Sequence, residues 1–374
     1  MAYKIDVVED LALIGEQPWD DLVKVSGGSV FHSFRWLQAF KQGMPYRLDP
    51  YHIVARDGDR LVGIMPAYLT QGCPRLEAHR KYVLTKATYL REPMLLAHTL
   101  YSYYGGPLVR QADWELIRQL LIVFDDLARQ LRVDVYGVVN VPEEQAMLRF
   151  LLAEMGYHVR YLSSTMHMSC AWTTFDEYLA QLKSKRRVFM RGIVRRAKAQ
   201  GVTAQLTPKP QNLGTLVALS NNVLKEHRHR NTDLFPRTYW ETLLEVMGDR
   251  LKFLLVRAPD GRVICFFAVL DAFETLTPWI AGIDYTTLKV YEPYHFAYVW
   301  LIKYAIEHKY HAVDMGRGSY RFKSRYGFQR RMLYLALKTP FPIMDVEVDR
   351  WSLDLSTYAL ARFAQHFAGS SGAS

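Results

Sequence analysis

From Arg317 to Gly327 the chain places four cations (Arg317, Arg321, Lys323, Arg325) and three aromatics (Tyr320, Phe322, Tyr326) within eleven residues. The run follows Val313-Asp314-Met315-Gly316, which reads as a strand end, and Gly316 and Gly318 let it bend sharply and bring a ligand close to backbone. Cations set beside rings suit a bound anion, or negative charge growing on a carbonyl oxygen. A basic surface hairpin is the bland alternative. Asp314 is a possible general base, and equally a strand-end aspartate bonding its own turn. Tyr291 and Tyr294, just upstream, can line a cleft or pack a core.

A second cationic element lies at residues 181–200, with three lysines, five arginines and no acid. Lys183, Arg187, Arg191, Arg195 and Lys198 recur at three or four residues, which predicts one basic helical stripe, with Lys185 nearby. Phe189, Ile193 and Ala197 form a second stripe expected to pack on a domain. Thr174-x-x-Glu177 reads as a capping box upstream, and Gly201 as a helix stop. Solvated helices usually intersperse acids to limit self-repulsion, so this one suits a polyanion.

Residues 181–200 carry +8 and residues 317–331, which add Arg330 and Arg331 to the first run, carry +6, while the other 339 residues sum to −4, so the two elements account for the whole net charge of +10. The chain has 374 residues, half of them hydrophobic, which suits about two packed domains and excludes global disorder. No apolar run reaches membrane-spanning length, and the acidic N-terminus lacks a signal-peptide core. Cys73, Cys170 and Cys265 are scattered without metal spacing and point to a reducing, cytoplasmic compartment. His227 and His229 lack a third ligand at matching spacing, so no metal is expected. Walker, Gly-x-Gly-x-x-Gly, His-Glu-x-x-His and Gly-x-Ser-x-Gly motifs are all missing. Gly105-Gly106-Pro107 reads as a turn that can also line a ligand.

The elements that must hold these residues repeat. Tyr51–Leu69 and Leu251–Asp271 are each two apolar strands about an Asp-Gly turn, Asp57-Gly58 and Asp260-Gly261. A helical pattern at Trp114–Gln130 precedes the strand Val133–Gly137; another at Tyr298–His308 precedes Val313–Gly316. Ile280–Ile283 reads as a buried strand, and Leu213–His227 and Arg237–Met247 as a helical pair. The reading is an α/β fold with two copies of one unit. Expected boundaries are 1–160, 161–348 with the site, a C-terminal amphipathic helix at 349–368 and a flexible tail at 369–374.

Three segments resemble a known family. They are Phe31-His32-Ser33-Phe34-Arg35-Trp36; Ser184-Lys185-Arg186-Arg187 through Lys198-Ala199-Gln200-Gly201-Val202; and Asp314-Met315-Gly316 through Phe322-Lys323-Ser324-Arg325-Tyr326-Gly327-Phe328. Their order is similar to the FemABX aminoacyltransferases and their GNAT-superfamily relatives, including CelD-like N-acyltransferases. The resemblance implies two tandem GNAT-like domains, each a mixed twisted sheet flanked by helices. It also implies amide formation from an activated donor with no tightly bound cofactor. Phe322 and Lys323 match the positions that hold the donor ester and stabilise its carbonyl oxygen, a role in which a fixed ammonium lowers the barrier by a few kcal/mol. Arg317, Arg321 and Arg325 then bind phosphate or carboxylate, and the basic stripe meets tRNA phosphates.

The leading donor is aminoacyl-tRNA, with a small amine or peptide as acceptor. The loop Asp284–Pro293 departs from the glycine-spaced diphosphate nest of acetyl-CoA enzymes, which weakens acyl-CoA as donor. An acyl-CoA-dependent enzyme and a non-catalytic RNA- or anion-binding protein stay open as alternatives. The first copy, around Gly137–Asn140, lacks the cationic cluster and is expected to be structural or acceptor-binding.

Overall fold

The computed structural model describes residues 3–74, 92–226 and 235–368. His227, His229 and the tail 369–374 lie outside the described residues. In chain order the strands and α-helices begin β1 (Lys4–Val8), α1 (Glu16–Val25), α2 (Phe34–Gly43), β2 (Arg47–Pro50), β3 (His52–Asp57), β4 (Arg60–Met65), β5 (Ala67–Gln71), β6 (Met94–Ala97) and β7 (Leu108–Val109). Next come α3 (Trp114–Gln130), β8 (Tyr136–Pro142), α4 (Ala146–Glu154), β9 (His158–Ser169), α5 (Phe175–Gln181), α6 (Ser184–Ala199), β10 (Thr203–Thr207), α7 (Leu213–Glu226) and α8 (Arg237–Met247). The chain ends with β11 (Leu251–Arg257), β12 (Val263–Ala272), β13 (Thr275–Ile283), α9 (Leu288–Tyr291), α10 (Pro293–Glu307), β14 (Ala312–Asp314), α11 (Tyr320–Ser324), β15 (Gln329–Lys338) and α12 (Asp345–Ala368). Among the described residues no helix is long and apolar enough to cross a membrane.

The chain divides into two compact units, Met1–Thr165 with Arg331–Ser374, and Met166–Arg330. The boundaries expected from sequence are contiguous, whereas here residues 331–348 return to the first unit. Long-range pairing is the reason: β15 runs antiparallel to β8, with Leu333 opposite Pro142 and Lys338 opposite Tyr136. The C-terminal helix begins at Asp345 rather than 349, and the His158 ring (Nε2) and Arg160 hold its first turns through Asp345 and Asp349.

In the first unit, β3 and β4 form the expected hairpin, with Gly58 at φ 57° in the turn. Pro66 then interrupts the strand because it has no N–H to donate. Upstream, β3 and β4 pair within β1-β3-β4-β7; downstream, β5 pairs with β2 and β6. β6 and β8 are parallel, which requires the crossover helix α3 between them. The α3 residues Leu116, Leu120, Phe124 and Leu127, at helical spacing, are buried, and the Asp113 carboxylate caps its first turn by accepting from Leu116 N–H at 2.9 Å. The strand expected at Val133–Gly137 runs from Tyr136 to Pro142.

In the second unit, β10, β11, β12 and β13 run antiparallel in sequence order, about the second Asp-Gly turn. β14 adds parallel to β13, and the end of β9 pairs with its other side. Residue pairing slips between Ala268 and Val269, opposite Ile280 and Pro278, so Trp279 forms a β-bulge. Gly282 lets α7 lie directly on β13: a Cβ there would meet the Phe266 ring at 2.1 Å and the Leu219 backbone at 2.8 Å. Among the described residues both units thus mix antiparallel strands with a parallel pair and flank them with helices.

α6 ends at Ala199 with Gly201 at φ 69°, as its sequence predicts. Its packed side is Met190, Ile193 and Ala197; Phe189 stays 40% exposed, a correction to the expected stripe. Upstream, the Thr174 hydroxyl accepts from Glu177 N–H, but the Glu177 carboxylate takes the N–H and hydroxyl of Thr173 instead of closing the box.

Candidate active site

β13 and β14 pair only through Thr275–Ala312 and Leu276–Val313. β14 then turns toward β9, where Met315 N–H donates to Met166 carbonyl (2.8 Å) and Met166 N–H to Gly316 carbonyl (3.0 Å). The two parallel strands therefore part at the point where the cation-aromatic run begins. The gap lies just past the amino end of β13 and opens toward the carboxyl ends of both strands, a common ligand position in α/β sheets.

The run folds as a tight loop and one short helix. Gly316, Gly318 and Ser319 take φ values of 62°, 76° and 48°, the left-handed region that glycine adopts without cost. The Asp314 carboxylate accepts from Gly316 N–H at 2.8 Å, the turn-bonding arrangement that the sequence allowed. Lys323 is buried. Its ammonium donates to the carbonyls of Met315 (2.7 Å), Gly316 (3.2 Å) and Arg317 (2.8 Å). Three donors meet three acceptors. The role expected of Lys323, an ammonium presented to a donor carbonyl, is not what these contacts describe; they clasp the loop. Burial pushes its pKa down to about 7, with the Asp314 carboxylate opposing.

The Phe322 ring lies in an aromatic group. Its ring centroid lies 5.3 Å from Tyr294, 4.9 Å from His295, 5.0 Å from Tyr298 and 5.2 Å from Tyr326. Tyr294 also stacks on Phe267 at 5.5 Å. Burial raises the Tyr294 and Tyr326 phenols, so both stay protonated at neutral pH. The Tyr326 carbonyl accepts from the buried Tyr178 hydroxyl at 2.8 Å, which pins this stretch to α5. Arg317, Arg321 and Arg325 are all partly exposed, and Arg325 lies near enough to His295 to act on its charge. Tyr291 is partly exposed on α9, outside this ring group among the described contacts.

Sequence reasoning passed over His295. Its Nδ1 shares a hydrogen bond with the Tyr326 hydroxyl. Burial lowers its pKa, helped by Arg325 and Arg196 and opposed by Glu292. The signal that could have found it is its place in the first turn of the helix opened by Pro293, beside Tyr294.

The basic helix reaches the same group. Phe189 meets the His295 ring edge-on at 5.2 Å, Arg196 pairs with Glu292 at 2.7 Å, and Gln200 donates to Val290 carbonyl at 2.8 Å. Lys183, Lys185, Arg191, Arg195 and Lys198 are exposed and Arg187 is partly so, with Arg187, Arg191, Arg195 and Lys198 sharing one face. Arg187 donates to Ala180 carbonyl at 3.3 Å and Arg191 pairs with exposed Asp176 at 2.9 Å. The loop 284–292 is coiled into helical turns: Asp284 takes the Thr286 N–H, and the N–H groups of Thr287 and Glu292 bond back to Asp284 and Leu288 carbonyls. These amides are spent within the loop rather than turned outward as a nest.

At the corresponding end of β6 and β8 in the first unit, His98 (φ 74°) and Asn140 (φ 62°) are fully buried. Asn140 donates to the Thr99 and Ser102 carbonyls at 2.9 and 3.0 Å, and His98 Nε2 bonds the Phe31 carbonyl at 2.7 Å. Gly105 has no room for a Cβ, with Val139 carbonyl 2.4 Å away. Polar side chains pack this end.

A family model described as acetyltransferase (GNAT) domain matches residues 183–324. Among solved structures, FemX superposes with a TM-score of 0.67 at 13% identity, covering 92% of this chain and 100% of its own. L-PGS from Bacillus licheniformis gives 0.57 at 14%, covering 90% and 96%. A tandem GNAT protein from the clavulanic acid biosynthesis pathway gives 0.54 at 12%, covering 91% and 99%. No curated protein sequence matches. Residues 183–324 thus match a GNAT domain, and the chain as a whole shares the fold of FemX and of that tandem GNAT protein.

Proposed function

We propose that this protein is an N-acyltransferase built from two tandem GNAT-like domains, which moves an aminoacyl group from aminoacyl-tRNA to the amine of a small molecule or peptide. The observation that carries this reading is the junction of two features. The acid-poor helix α6 carries its exposed cationic stripe on one side and, through Phe189, Arg196 and Gln200 on another, packs against the elements that hold an aromatic group. A nucleic-acid donor needs a phosphate-binding face and a place for its esterified end within reach of each other. The fold shared with FemX and L-PGS supports the same donor. The coiled loop 284–292 argues for tRNA over acyl-CoA, because it turns few amides toward a diphosphate.

In this reading the acceptor amine attacks the ester carbonyl beside Phe322. Lys323 and Asp314 hold the shape of the loop that frames the site, and Arg317, Arg321, Arg325, Tyr291 and Tyr294 are the groups available to the substrates. The test is donor dependence. Label passing from total charged tRNA to amine acceptors, and abolished by ribonuclease, is the expected result. Transfer from an acyl-CoA panel but not from tRNA would overturn the donor. Salt-sensitive tRNA binding with no transfer from either would leave a binding protein.

A further inference from the structure

We propose that His295 is the proton carrier of this reaction, its Nε2 taking the proton from the attacking nitrogen and returning it to the departing oxygen. The proposal rests on the amide-forming reading above. Its geometric basis is that one ring nitrogen is engaged and the other is available. Nδ1 is tied to the Tyr326 hydroxyl, and Tyr326 is itself buried and held by Tyr178. Nε2 has no protein hydrogen bond among the described residues and is not among the buried polar atoms that lack a partner, so it reaches solvent. The imidazole centroid lies 4.9 Å from that of Phe322, the residue the ester is expected to meet. An imidazole fixed at one nitrogen and open at the other is the arrangement that general acid–base chemistry needs.

Atoms and charge balance through the transfer. The neutral amine adds to the ester carbonyl, forming the C–N bond and pushing the carbonyl electron pair onto oxygen. The nitrogen, now positive and acidic, gives one proton to Nε2. The carbonyl reforms, the bond from carbon to the ribose oxygen breaks, and the imidazolium returns that proton to the ribose oxygen. The amide and the free hydroxyl leave with His295 neutral again.

The groups that face the ring set when it can act. Glu292 precedes it on the same turn, Tyr326 and Arg325 approach from the loop after α11, Tyr294 adjoins it, and Arg196 approaches from α6. The two arginines oppose protonation of the ring and Glu292 favours it. Burial adds to the arginines, so the imidazole is neutral and ready to accept a proton near neutral pH.

The experiment compares two acceptors with charged total tRNA as donor, each rate taken over the enzyme-free rate. One acceptor is a primary alkylamine, putrescine. The other is hydroxylamine, whose nitrogen in the addition intermediate is acidic enough to lose its proton to water. His295→Gln should lower the putrescine rate on the order of a hundredfold or more, the usual size of a general-base contribution. It should lower the hydroxylamine rate far less, and remove the acid-side fall that remains once rates are expressed per concentration of neutral amine. Tyr326→Phe, which frees the ring without removing it, should give a smaller loss with the same preference for hydroxylamine. Equal losses for the two acceptors, or an unchanged acid limb after that correction for neutral amine, would overturn the role of His295 alone. A wild-type protein inactive with both acceptors would overturn the amide-forming reading, and this proposal with it.

Discussion

The Lys323 ammonium lies 2.7 Å from the carbonyl oxygen of Met315, eight residues earlier in the chain. The ammonium also meets the carbonyls of Gly316 and Arg317, so a single buried side chain holds the loop from Met315 to Arg317. Lys323→Met would take the ammonium from three carbonyls, of which Gly316's keeps the Met166 N–H. It should destabilise the protein by at least about 2 kcal/mol, because an unpaired buried polar group loses its full solvation. Urea denaturation and turnover should fall together. Turnover lost with stability intact would show instead that the ammonium acts directly on substrate.

Three histidines of the first unit are buried and neutral. Burial lowers His98 to about 4, His52 to about 3 and His32 well below its usual value. Below the ordinary histidine pKa of about 6.5 the unfolded chain binds protons that the folded chain does not. Their contribution is therefore complete above about pH 6.5 and is lost as pH falls toward the folded values. Between about pH 7 and about pH 5 each should cost on the order of 2 kcal/mol. Denaturation midpoints across that range should drop steeply, and His98→Gln should flatten the slope; a pH-independent midpoint would contradict the buried neutral assignment.

The stripe on α6 is exposed, so its charge can be removed without disturbing the core. Arg195→Ser with Lys198→Ser should leave the melting temperature unchanged. The pair should weaken tRNA binding in a salt series and reduce its salt slope by up to about 2, one unit for each phosphate left without its cation. An unaltered slope would take this face out of the nucleic-acid interface.

Gly282 sits where α7 meets β13. Gly282→Ala should destabilise by about 1–3 kcal/mol, since the Phe266 ring can shift but the Leu219 backbone, 2.8 Å from the new carbon, cannot. Thermal melting reads this directly, and a neutral result would mean that the helix can lift from the sheet.

What the sequence determined by itself is local. Asp57-Gly58 and Asp260-Gly261 place positive φ between β-forming runs, so both hairpins stand where their turns require. Arg187, Arg191, Arg195 and Lys198 share a helix face because the helical period puts them there, and Gly201 ends that helix in a conformation that suits glycine. Tertiary structure decided the rest. No local rule states whether Lys323 reaches a cleft or curls onto backbone carbonyls; that depends on the path of the loop between Asp314 and Ser319. The return of β15 to β8 is a pairing across nearly two hundred residues of chain, with Leu333 opposite Pro142. His295 and Tyr326 lie 31 residues apart and carry no common motif. They meet because the first turn of α10 and the stretch after α11 pack on one another, and such a meeting is set by the energy of the folded whole rather than by spacing along the chain.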